Sequence, residues 1–408
     1  MRAMPDDRDP AAGAPASSLD GAPATPRPSS DRPAGPRPFV RATGQLAVDR
    51  AIAELRRGGL VAIRAGRDLD RLAVAAGSEM ATRELMGQMS AIAGSEPRLV
   101  LTRNRAAVLG SGTDAPAVSV ALSTALDVDA VLDLSDPTRQ AAVPAGLTAL
   151  PERADTAAAA AVTLVKLARL LPSALVATVH GISASTMTAW ARERALLVVE
   201  AGEIERYAET SAHRLIRAAS ARVPLADAEL CELTAFRPMD GGTEHVAIRI
   251  GEPDADVGPV LIRIHSACLT GDLLGSLRCD CGDQLRGAIR EIEQAGGGIL
   301  LYLAQEGRDI GLINKLRAYT LQDLGADTVD ANTTLGFDDD ERVYFPAAEM
   351  LRQLGVGRVR LMTNNPSKME QLAACGVEVV ERVPHIFASN SHNERYLATK
   401  ASRSGHLF

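Results

Sequence analysis

The chain has 408 residues, too many for one ordinary hydrophobic core, so two domains and a tail are the natural expectation. Its 51 acidic and 44 basic residues give a formal charge of −7. This charge argues against a nucleic-acid binder and places any bound phosphate in a local basic pocket. Five cysteines, an odd number, do not form a secreted disulfide framework and indicate a reducing cytoplasm.

The first 37 residues are rich in Pro, Ala, Ser, Asp and Arg and contain few large apolar side chains. This composition predicts a disordered tail over 1–37, and the repeated aspartates argue against a transit peptide. The residues also lack the apolar run of a secretory signal. The most apolar stretch, 157–179, is interrupted by two cations and a proline, which predicts a buried or amphipathic helix rather than a membrane span.

From residue 38 to 220 short aliphatic stretches alternate with alanine-rich ones, which predicts an α/β domain. His180 and His213 stand alone in this region and are interpreted as capping or surface residues. The individual predictions are helices at 45–57 and 155–171 and strands at 60–63, 98–102 and 130–134.

This region resembles 3,4-dihydroxy-2-butanone 4-phosphate synthase in three stretches, which are Val48-Asp-Arg-Ala-Ile-Ala-Glu-Leu-Arg-Arg-Gly-Gly, Met80-Ala-Thr-Arg-Glu-Leu-Met and Ala189-Trp-Ala-Arg-Glu-Arg-Ala-Leu-Leu. The acidic run with which that family holds Mg²⁺ is replaced here by Arg64-Ala-Gly-Arg-Asp-Leu-Asp-Arg71, and its Gly-His-Thr-Glu motif by Arg153-Ala-Asp-Thr-Ala157. Without these oxygen ligands the magnesium chemistry has no support. We therefore interpret residues 38–220 as a degenerate, inactive copy retained as a scaffold.

Three cysteines fall within one short segment of the remaining chain: Cys268, Cys279 and Cys281. Soft thiolates bind Zn²⁺ well, and three protein ligands with an open fourth position are typical of catalytic zinc. Their spacing differs from the paired knuckles of structural zinc sites. Two alternatives stay open, since His265 could close a structural Cys₃His site and the cysteines could be ordinary buried residues.

The region 221–408 is predicted to form a second mixed α/β domain, so the fold class is α/β (α+β), with two such domains after the tail. The predicted strands are 244–251, 260–265, 299–304 and 358–362, and the predicted helices are 283–294 and 312–324. The glycine-containing loop 305–311 and the helix start 363–368 could bind an anion such as phosphate. The loop could equally be a connecting turn, Lys368 an ordinary surface lysine, and Lys315 and Arg317 a solvated face. The acidic cluster 335–342 is more simply a solvated turn and helix N-terminus.

The order of the motifs in this second region resembles GTP cyclohydrolase II over essentially all of 221–408. The motifs are His265-Ser-Ala-Cys-Leu-Thr-Gly-Asp, Arg278-Cys-Asp-Cys-Gly, Gln305-Glu-Gly-Arg-Asp-Ile-Gly-Leu, Lys315-Leu-Arg-Ala-Tyr-Thr-Leu-Gln-Asp, Ala326-Asp-Thr-Val-Asp-Ala-Asn, Leu335-Gly-Phe with Asp340-Glu-Arg, and Leu361-Met-Thr-Asn-Asn-Pro. One position departs from the family, which commonly has Glu where this chain has Ala267.

The resemblance implies a cytoplasmic homodimer that opens the imidazole ring of GTP at C8 and releases formate and pyrophosphate. It implies Zn²⁺ on Cys268, Cys279 and Cys281, Mg²⁺ with the triphosphate, and neither nucleic acid nor membrane as a partner. Tyr319 would act on a proton, Asp340 would accept one, and Arg342 is the family's nucleophile, although a guanidinium is better suited to clamping phosphate. The implied substrate contacts are Arg263, Ile264, His265, Ser266, Ala267, Gln284, Glu306, Gly307, Arg308, Thr328, Thr363 and Lys368.

Three alternatives to this function stay open from the sequence alone. The first region could still make dihydroxybutanone phosphate, which its missing acidic run argues against. The chain could be a non-enzymatic GTP-binding regulator with structural zinc, or a ring hydrolase that stops at the formamide intermediate.

Overall fold

The computed structural model describes residues 43–66, 70–121, 127–144 and 146–386, and the predicted disordered tail 1–37 lies outside them. The strands are β1 (Val61–Ala65), β2 (Arg71–Gly77), β3 (Arg98–Thr102), β4 (Ala117–Ala121), β5 (Thr148–Glu152), β6 (Ser173–Val179), β7 (Leu197–Glu200), β8 (Ile216–Arg222), β9 (Cys231–Arg237), β10 (His245–Gly251), β11 (Val260–Ser266), β12 (Gly297–Leu303), β13 (Arg358–Met362) and β14 (Glu378–Val383). The α-helices are α1 (Thr43–Arg56), α2 (Arg83–Ala93), α3 (Arg103–Val108), α4 (Val128–Ser135), α5 (Ala157–Leu167), α6 (Met187–Glu193), α7 (Ala201–Glu205), α8 (Tyr207–Ala212), α9 (Cys281–Gln294), α10 (Gly311–Asp323), α11 (Thr328–Leu335), α12 (Phe345–Gln353) and α13 (Pro366–Ala374).

These elements form two seven-stranded sheets, and the predicted α/β class is confirmed. We call the described residues up to Ala212 the first half and those from Ile216 the second half. The predicted boundary between residues 220 and 221 falls inside β8, which belongs to the second sheet. The division into two domains at that point stays a prediction.

The first sheet has the strand order β5-β4-β3-β6-β2-β1-β7. Its neighbours pair antiparallel except for β1 with β7. Helix α5 packs on this sheet through a small-residue face, so that Ala161, Leu164 and Val165 share a buried cluster with aliphatic residues of β1, β3 and β6. Alanine has the highest helix propensity and lets a helix approach a sheet closely. The carboxyl end of α5 is thereby fixed next to the second half.

The apolar stretch 157–179 was expected to form one helix. In the structure only its first part is helical, as α5, and its last part forms strand β6. Pro172 lies between the two elements, and proline cannot continue a helix. Among the residues that the structure describes, no helix has the length and apolar character needed to cross a membrane.

The second sheet has the order β14-β13-β11-β12-β10-β9-β8. Four of its strands, β14, β13, β11 and β12, run parallel, and the other three are antiparallel. Parallel strands end at the same edge of a sheet, and ligands commonly bind in the crevice outside those carboxyl ends. The loops that follow β11, β12 and β13 therefore meet at one edge, where the cysteine motif, the 305–311 loop and Thr363 lie.

The predicted strands at 98–102 and 358–362 are confirmed as β3 and β13. The strand predicted at 130–134 is wrong, because these residues lie in helix α4. The Asp127 side chain caps that helix by accepting the Ala130 N–H at 2.8 Å, and Val131 and Leu134 are buried at helical spacing. A short apolar run fits either element, and here the capping aspartate decided the outcome.

Candidate active site and metal centre

Three cysteines from two segments converge beyond the carboxyl end of β11. Cys268 follows that strand, and Cys279 and Cys281 lie where α9 begins. Their sulfur atoms all lie within 4.8 Å of one another, and those of Cys268 and Cys279 are 3.7 Å apart. Gly271 permits this packing, because a Cβ there would meet the Cys279 and Cys268 sulfurs at 2.8 and 3.1 Å. The structure thus brings the three predicted ligands together.

A buried lysine lies directly against this cluster. The Lys315 ammonium donates to Cys268 Sγ at 3.1 Å, to Thr270 Oγ1 at 2.9 Å and to Glu306 Oε1 at 2.7 Å. The other oxygen of Glu306 accepts the Leu269 N–H at 2.6 Å. Glu306, predicted as a nucleotide contact, therefore joins the 305–311 loop to the cysteine segment and holds the lysine in place.

The surroundings of the three cysteines favour deprotonation of Cys268 over that of the other two. The pKa of Cys268 is lowered far below its usual value because Cys279 and Cys281 donate hydrogen bonds to its sulfur and the Lys315 ammonium lies beside it. The same hydrogen bonds raise the pKa of Cys279 to about 11 and raise that of Cys281 as well. A thiolate is already present at neutral pH, and the thiolate is the form that binds metals.

His265 is held away from the sulfur cluster by a carboxylate. Its Nε2 lies 3.0 and 3.1 Å from the two oxygens of Asp272, and its ring stacks on Tyr302 with a centroid separation of 5.6 Å. Asp272 also accepts the Cys268 N–H and the Tyr302 hydroxyl, each at 3.0 Å. In the described part of the chain the cysteines form the group suited to a metal without this histidine. The arrangement argues against the structural Cys₃His alternative.

The cysteine cluster lies in a cleft that the ends of β11, β12 and β13 share with α9, α10, α11 and α13. Asp340 is the one predicted site residue that does not line it. At the unusual position Ala267, the backbone N–H donates to Leu303 O at 2.8 Å. The predicted residues that line the cleft are Arg263, Ile264, His265, Ser266, Ala267, Cys268, Cys279, Cys281, Gln284, Glu306, Gly307, Arg308, Tyr319, Thr328, Arg342, Thr363 and Lys368.

Tyr319 lies one helical turn after Lys315 on α10, so both side chains point to the same side of the helix. Its hydroxyl is 3.4 Å from Thr270 Oγ1, and the Arg278 guanidinium lies 5.0 Å from the centre of its ring. Burial raises the pKa of Tyr319, so its hydroxyl keeps its proton at neutral pH. Tyr319 thus presents a proton donor beside the cysteine segment.

Asp340 and Arg342 form a close pair, of which Arg342 lines the cleft. Arg342 Nε donates to Asp340 Oδ1 at 2.7 Å, the Arg342 backbone N–H donates to the same oxygen at 3.1 Å, and a second guanidinium nitrogen bonds Oδ2. Burial alone would raise the pKa of Asp340, but the charge of Arg342 outweighs it and the pKa is lowered. Asp340 is therefore ionised and fixes the guanidinium that faces the cleft.

The start of α13 lies at the far end of the cleft, directly after β13. Asn365 caps the helix by accepting the Ser367 N–H at 3.0 Å, and Pro366 follows at the first helical position. Thr363 Oγ1 accepts the Asn365 N–H at 3.0 Å, and Lys368 is buried in the first turn. Backbone N–H groups at a helix start together with a lysine are suited to an anion such as phosphate.

Comparisons with known proteins agree with this geometry. A GTP cyclohydrolase II family profile matches residues 216–384. A protein from Azospirillum brasilense named GTP cyclohydrolase-2 is 55% identical over 369 residues, which cover 89% of this chain and 94% of the relative. The chain belongs to the GTP cyclohydrolase II family of enzymes.

Relatives in this family differ in how much of the chain they match. GTP cyclohydrolase-2 of Xylella fastidiosa is 40% identical over 372 residues, which cover 91% of this chain and 89% of the relative. GTP cyclohydrolase-2 of Yersinia pseudotuberculosis is 51% identical over 194 residues, which are 98% of the relative but 48% of this chain. The longer relatives therefore extend across both halves.

A solved two-domain 3,4-dihydroxy-2-butanone 4-phosphate synthase from A. baumannii covers 84% of this chain and 99% of its own at 15% identity and a TM-score of 0.34. This likeness is too weak to bear on what the first half does.

The GTP cyclohydrolase II cleft also contains residues that sequence reasoning did not assign. Lys315 could have been found from its helical spacing to Tyr319, which places both on one face of α10. No sequence pattern pointed to His385. It follows β14, and its two contacts are about a hundred positions earlier in the chain. Its ring nitrogens lie 3.0 Å from Glu291 Oε2 and 3.0 Å from Gln284 O.

Proposed function

We propose that this protein is a zinc-dependent GTP cyclohydrolase II that converts GTP into 2,5-diamino-6-ribosylamino-4(3H)-pyrimidinone 5′-phosphate, formate and pyrophosphate, the first step of riboflavin biosynthesis. The observation that carries the proposal is the placement of three cysteine sulfurs, Tyr319 and Arg342 around one cleft. The reaction needs a Lewis acid, a proton donor and a phosphate clamp, and the cleft offers a candidate for each.

The cysteine cluster fits zinc. Tetrahedral Zn²⁺ with Zn–S bonds of about 2.3 Å places two sulfurs about 3.8 Å apart, and the Cys268 and Cys279 sulfurs are separated by 3.7 Å. Cys268, Cys279 and Cys281 would hold the ion and leave a fourth position open to the cleft. When bound, zinc supplies a Lewis acid that lowers the pKa of water toward neutrality.

Tyr319 is the proposed proton donor during ring opening. Its raised pKa keeps the hydroxyl protonated, and its position 3.4 Å from Thr270 Oγ1 places it beside the cysteine segment. Lys315, on the same face of α10, holds a positive charge next to the Cys268 sulfur. The cation would counter the negative charge that three thiolates bring to the site.

Arg342 is proposed to clamp the α-phosphate rather than to attack it. A guanidinium stays protonated and offers paired N–H donors to phosphate oxygens, which makes it a poor nucleophile and a good clamp. Asp340 would orient Arg342, since three hydrogen bonds from Arg342 already reach its carboxylate. The lowered pKa of Asp340 also makes it a weak base.

The remaining nucleotide contacts extend from the guanine end to the triphosphate end of the cleft. Buried Arg263 donates to Gln284 Oε1 at 2.6 Å and fixes its amide, while Thr363, Lys368 and the start of α13 would receive phosphate. Mg²⁺ is expected to enter with the triphosphate, whose negative charge it would partly neutralise. A cytoplasmic homodimer is the assembly that the family implies.

The first half is proposed to have no synthase activity of its own. Among its described residues no group of three His, Cys, Asp or Glu side chains lies close enough to hold a metal ion. Incubation with ribulose 5-phosphate and Mg²⁺ tests this statement, and formation of dihydroxybutanone phosphate would show a bifunctional enzyme.

The deciding experiment incubates the purified protein with GTP, Mg²⁺ and Zn²⁺ and quantifies formate, pyrophosphate and the pyrimidine together. Equal amounts of formate and pyrophosphate are expected, with loss of both after chelation and recovery on adding zinc back. Pyrophosphate without formate would indicate an enzyme that stops at the formamide. Neither product would indicate a GTP-binding regulator.

A further inference from the structure

Two cations of the first half reach loops that build the cleft in the second half. Lys166 lies in the last turn of α5, and Arg169 follows just after the helix. Arg169 adopts a left-handed backbone with φ of 57°, an uncommon conformation for a residue with a side chain. Neither residue lines the cleft.

Lys166 holds the turn that precedes Arg342. Its ammonium lies 3.0 Å from Asp338 Oδ2 and 2.7 Å from Glu341 Oε1. Glu341 Oε1 also accepts the Asp338 N–H at 2.8 Å, which joins the two ends of the turn. Lys166 contacts the carboxylates at both ends and so stabilises the same turn. The Asp340–Arg342 pair is carried by this turn.

Arg169 holds the loop that contains Glu306, Gly307 and Arg308. One of its terminal nitrogens donates to Ala304 O at 3.0 Å and to Asp309 Oδ1 at 2.8 Å. Residues 307, 308 and 309 have consecutive positive φ values of 66°, 60° and 74°. Such conformations are unfavourable for residues other than glycine and persist only where surrounding contacts impose them. Arg169 supplies such a contact from outside the loop.

Further contacts of the first half support the same elements. Thr102 Oγ1 donates to Gly336 O at 2.6 Å, and Asn104 Nδ2 donates to Phe337 O at 2.8 Å. Gly336 allows this approach, since a Cβ there would lie 2.8 Å from Thr102 Oγ1. On α10, Arg317 lies 3.2 Å from Asp136 of the first half.

We propose that the first half is a brace for the catalytic cleft, in which Lys166 positions the Asp340–Arg342 turn and Arg169 positions the Glu306–Arg308 loop. Both are positioning residues that act through the loops they hold. The kinetic consequences rest on the proposed function, whereas the ordering of the two loops does not. Because each cation contacts a different loop, loss of each has its own signature.

The test uses the full-length, zinc-loaded protein with Lys166→Met and Arg169→Met, which keep the aliphatic stems. Arg139→Met is the matched control, because Arg139 pairs with Asp129 and Asp133 inside the first half. Hydrogen exchange is measured over residues 305–311 and 336–344, together with kcat and KM for GTP. Zinc content is measured in parallel and is expected to stay unchanged.

Lys166→Met is expected to speed hydrogen exchange in 336–344 alone and to lower kcat about tenfold. Lys166→Arg, which keeps the positive charge, is expected to restore most of kcat. Arg169→Met is expected to speed exchange in 305–311 and to raise KM for GTP about tenfold. Exchange and kinetics that match Arg139→Met in both variants would overturn the brace. Faster exchange throughout both sheets would also overturn it, since the contacts would then be general packing.

The two proposals fail in distinguishable ways. If the wild-type protein does not hydrolyse GTP, the proposed function fails, and the exchange measurement alone decides the brace. If wild type and both variants turn over GTP with equal constants and equal exchange, the brace fails and the function stands.

Discussion

The two sheets of this protein have the same number of strands, but the first is almost entirely antiparallel and the second is half parallel. In the second sheet four strands run parallel, so the loops after β11, β12 and β13 end side by side and form the cleft. In the first sheet one neighbouring pair, β1 with β7, is parallel. Antiparallel neighbours send successive loops to opposite edges, so the first sheet does not gather its loops at one edge in the same way.

Under the brace proposed above, a half that contributes no side chain to the cleft would still affect catalysis there. The first half contributes the end of α5, and two cations there contact the loops that the second sheet presents. One half supplies the groups that face the cleft and the other supplies contacts behind them. If the halves divide the work in this way, changes at the cleft should alter chemistry and changes far from α5 in the first half should not.

The largest effect is expected at the metal ligands of the second half. Cys281→Ser should lower formate release by about 1000-fold or more, because the proposed Lewis acid would be lost with its ligand set. Bound zinc per chain, measured by atomic absorption, should fall in parallel. Cys375→Ser is the control, since Cys375 lies outside the cluster, and it should keep both zinc and activity. Unchanged formate release in the Cys281 variant would contradict the zinc mechanism.

A graded loss is expected at Arg342. Lysine keeps the charge but not the paired donors, so Arg342→Lys should lower pyrophosphate release about tenfold and Arg342→Ala about 100-fold. Single-turnover release of pyrophosphate from GTP is the measurement. Arg290→Lys, at an exposed ion pair with Asp227, should leave release unchanged. Equal and complete loss in both Arg342 variants would favour the nucleophile role instead.

Acid stability should depend on His245, which accepts the Ala304 N–H at 3.0 Å behind the cleft. Burial lowers its pKa from 6.5 to about 4, so the neutral ring stabilises the fold above pH 6.5 and this contribution is lost as pH falls toward 4. The loss amounts to about 3 kcal/mol in the free energy of unfolding.

Asp309, whose pKa burial raises to about 6, titrates in the opposite sense, because its contribution to stability falls as pH rises.

Because the two groups act in opposite directions, the effect of His245 is isolated by comparing the wild-type protein with a His245 variant. His245→Asn keeps an acceptor near the Ala304 N–H and cannot titrate, so its unfolding free energy should vary less between pH 6.5 and 4 than that of wild type. Urea unfolding at several pH values gives both curves. Parallel curves would show that His245 does not carry the acid sensitivity.

The smallest effect is expected far from the brace in the first half. Gly87 lies exposed within α2, and a Cβ there would have open space around it. Gly87→Ala should raise the free energy of unfolding by roughly 0.5–1 kcal/mol, since alanine loses less backbone entropy in a helix. GTP turnover should not change. A change in kcat would mean that the first half influences the cleft more broadly than through α5.

Local pattern was sufficient where neighbouring residues supply the stabilising contacts. The aliphatic runs at 98–102 and 358–362 became strands at their predicted bounds, and the cysteine segment, read through its motif, gathered three sulfurs at one point. The run at 130–134 failed because its apolar residues suit either element and a capping aspartate favoured the helix. Pattern reasoning weighs the run itself more heavily than one polar residue before it.

That the separate motifs meet at one cleft was expected only from the family resemblance. Spacing along the chain does not say which strands become neighbours in the sheet. Lys315 was open to a solvated or a phosphate-binding role, and the structure buries it against Cys268 and Glu306. The contacts of Lys166 with Asp338 and of Arg169 with Asp309 join residues more than a hundred positions apart. Such pairs depend on how two sheets pack, and no local periodicity encodes them. The residue types in the motifs were therefore sufficient to predict the chemistry of the site. The contacts of Lys166 and Arg169 that hold its loops arise from packing between the halves, which only the tertiary structure decides.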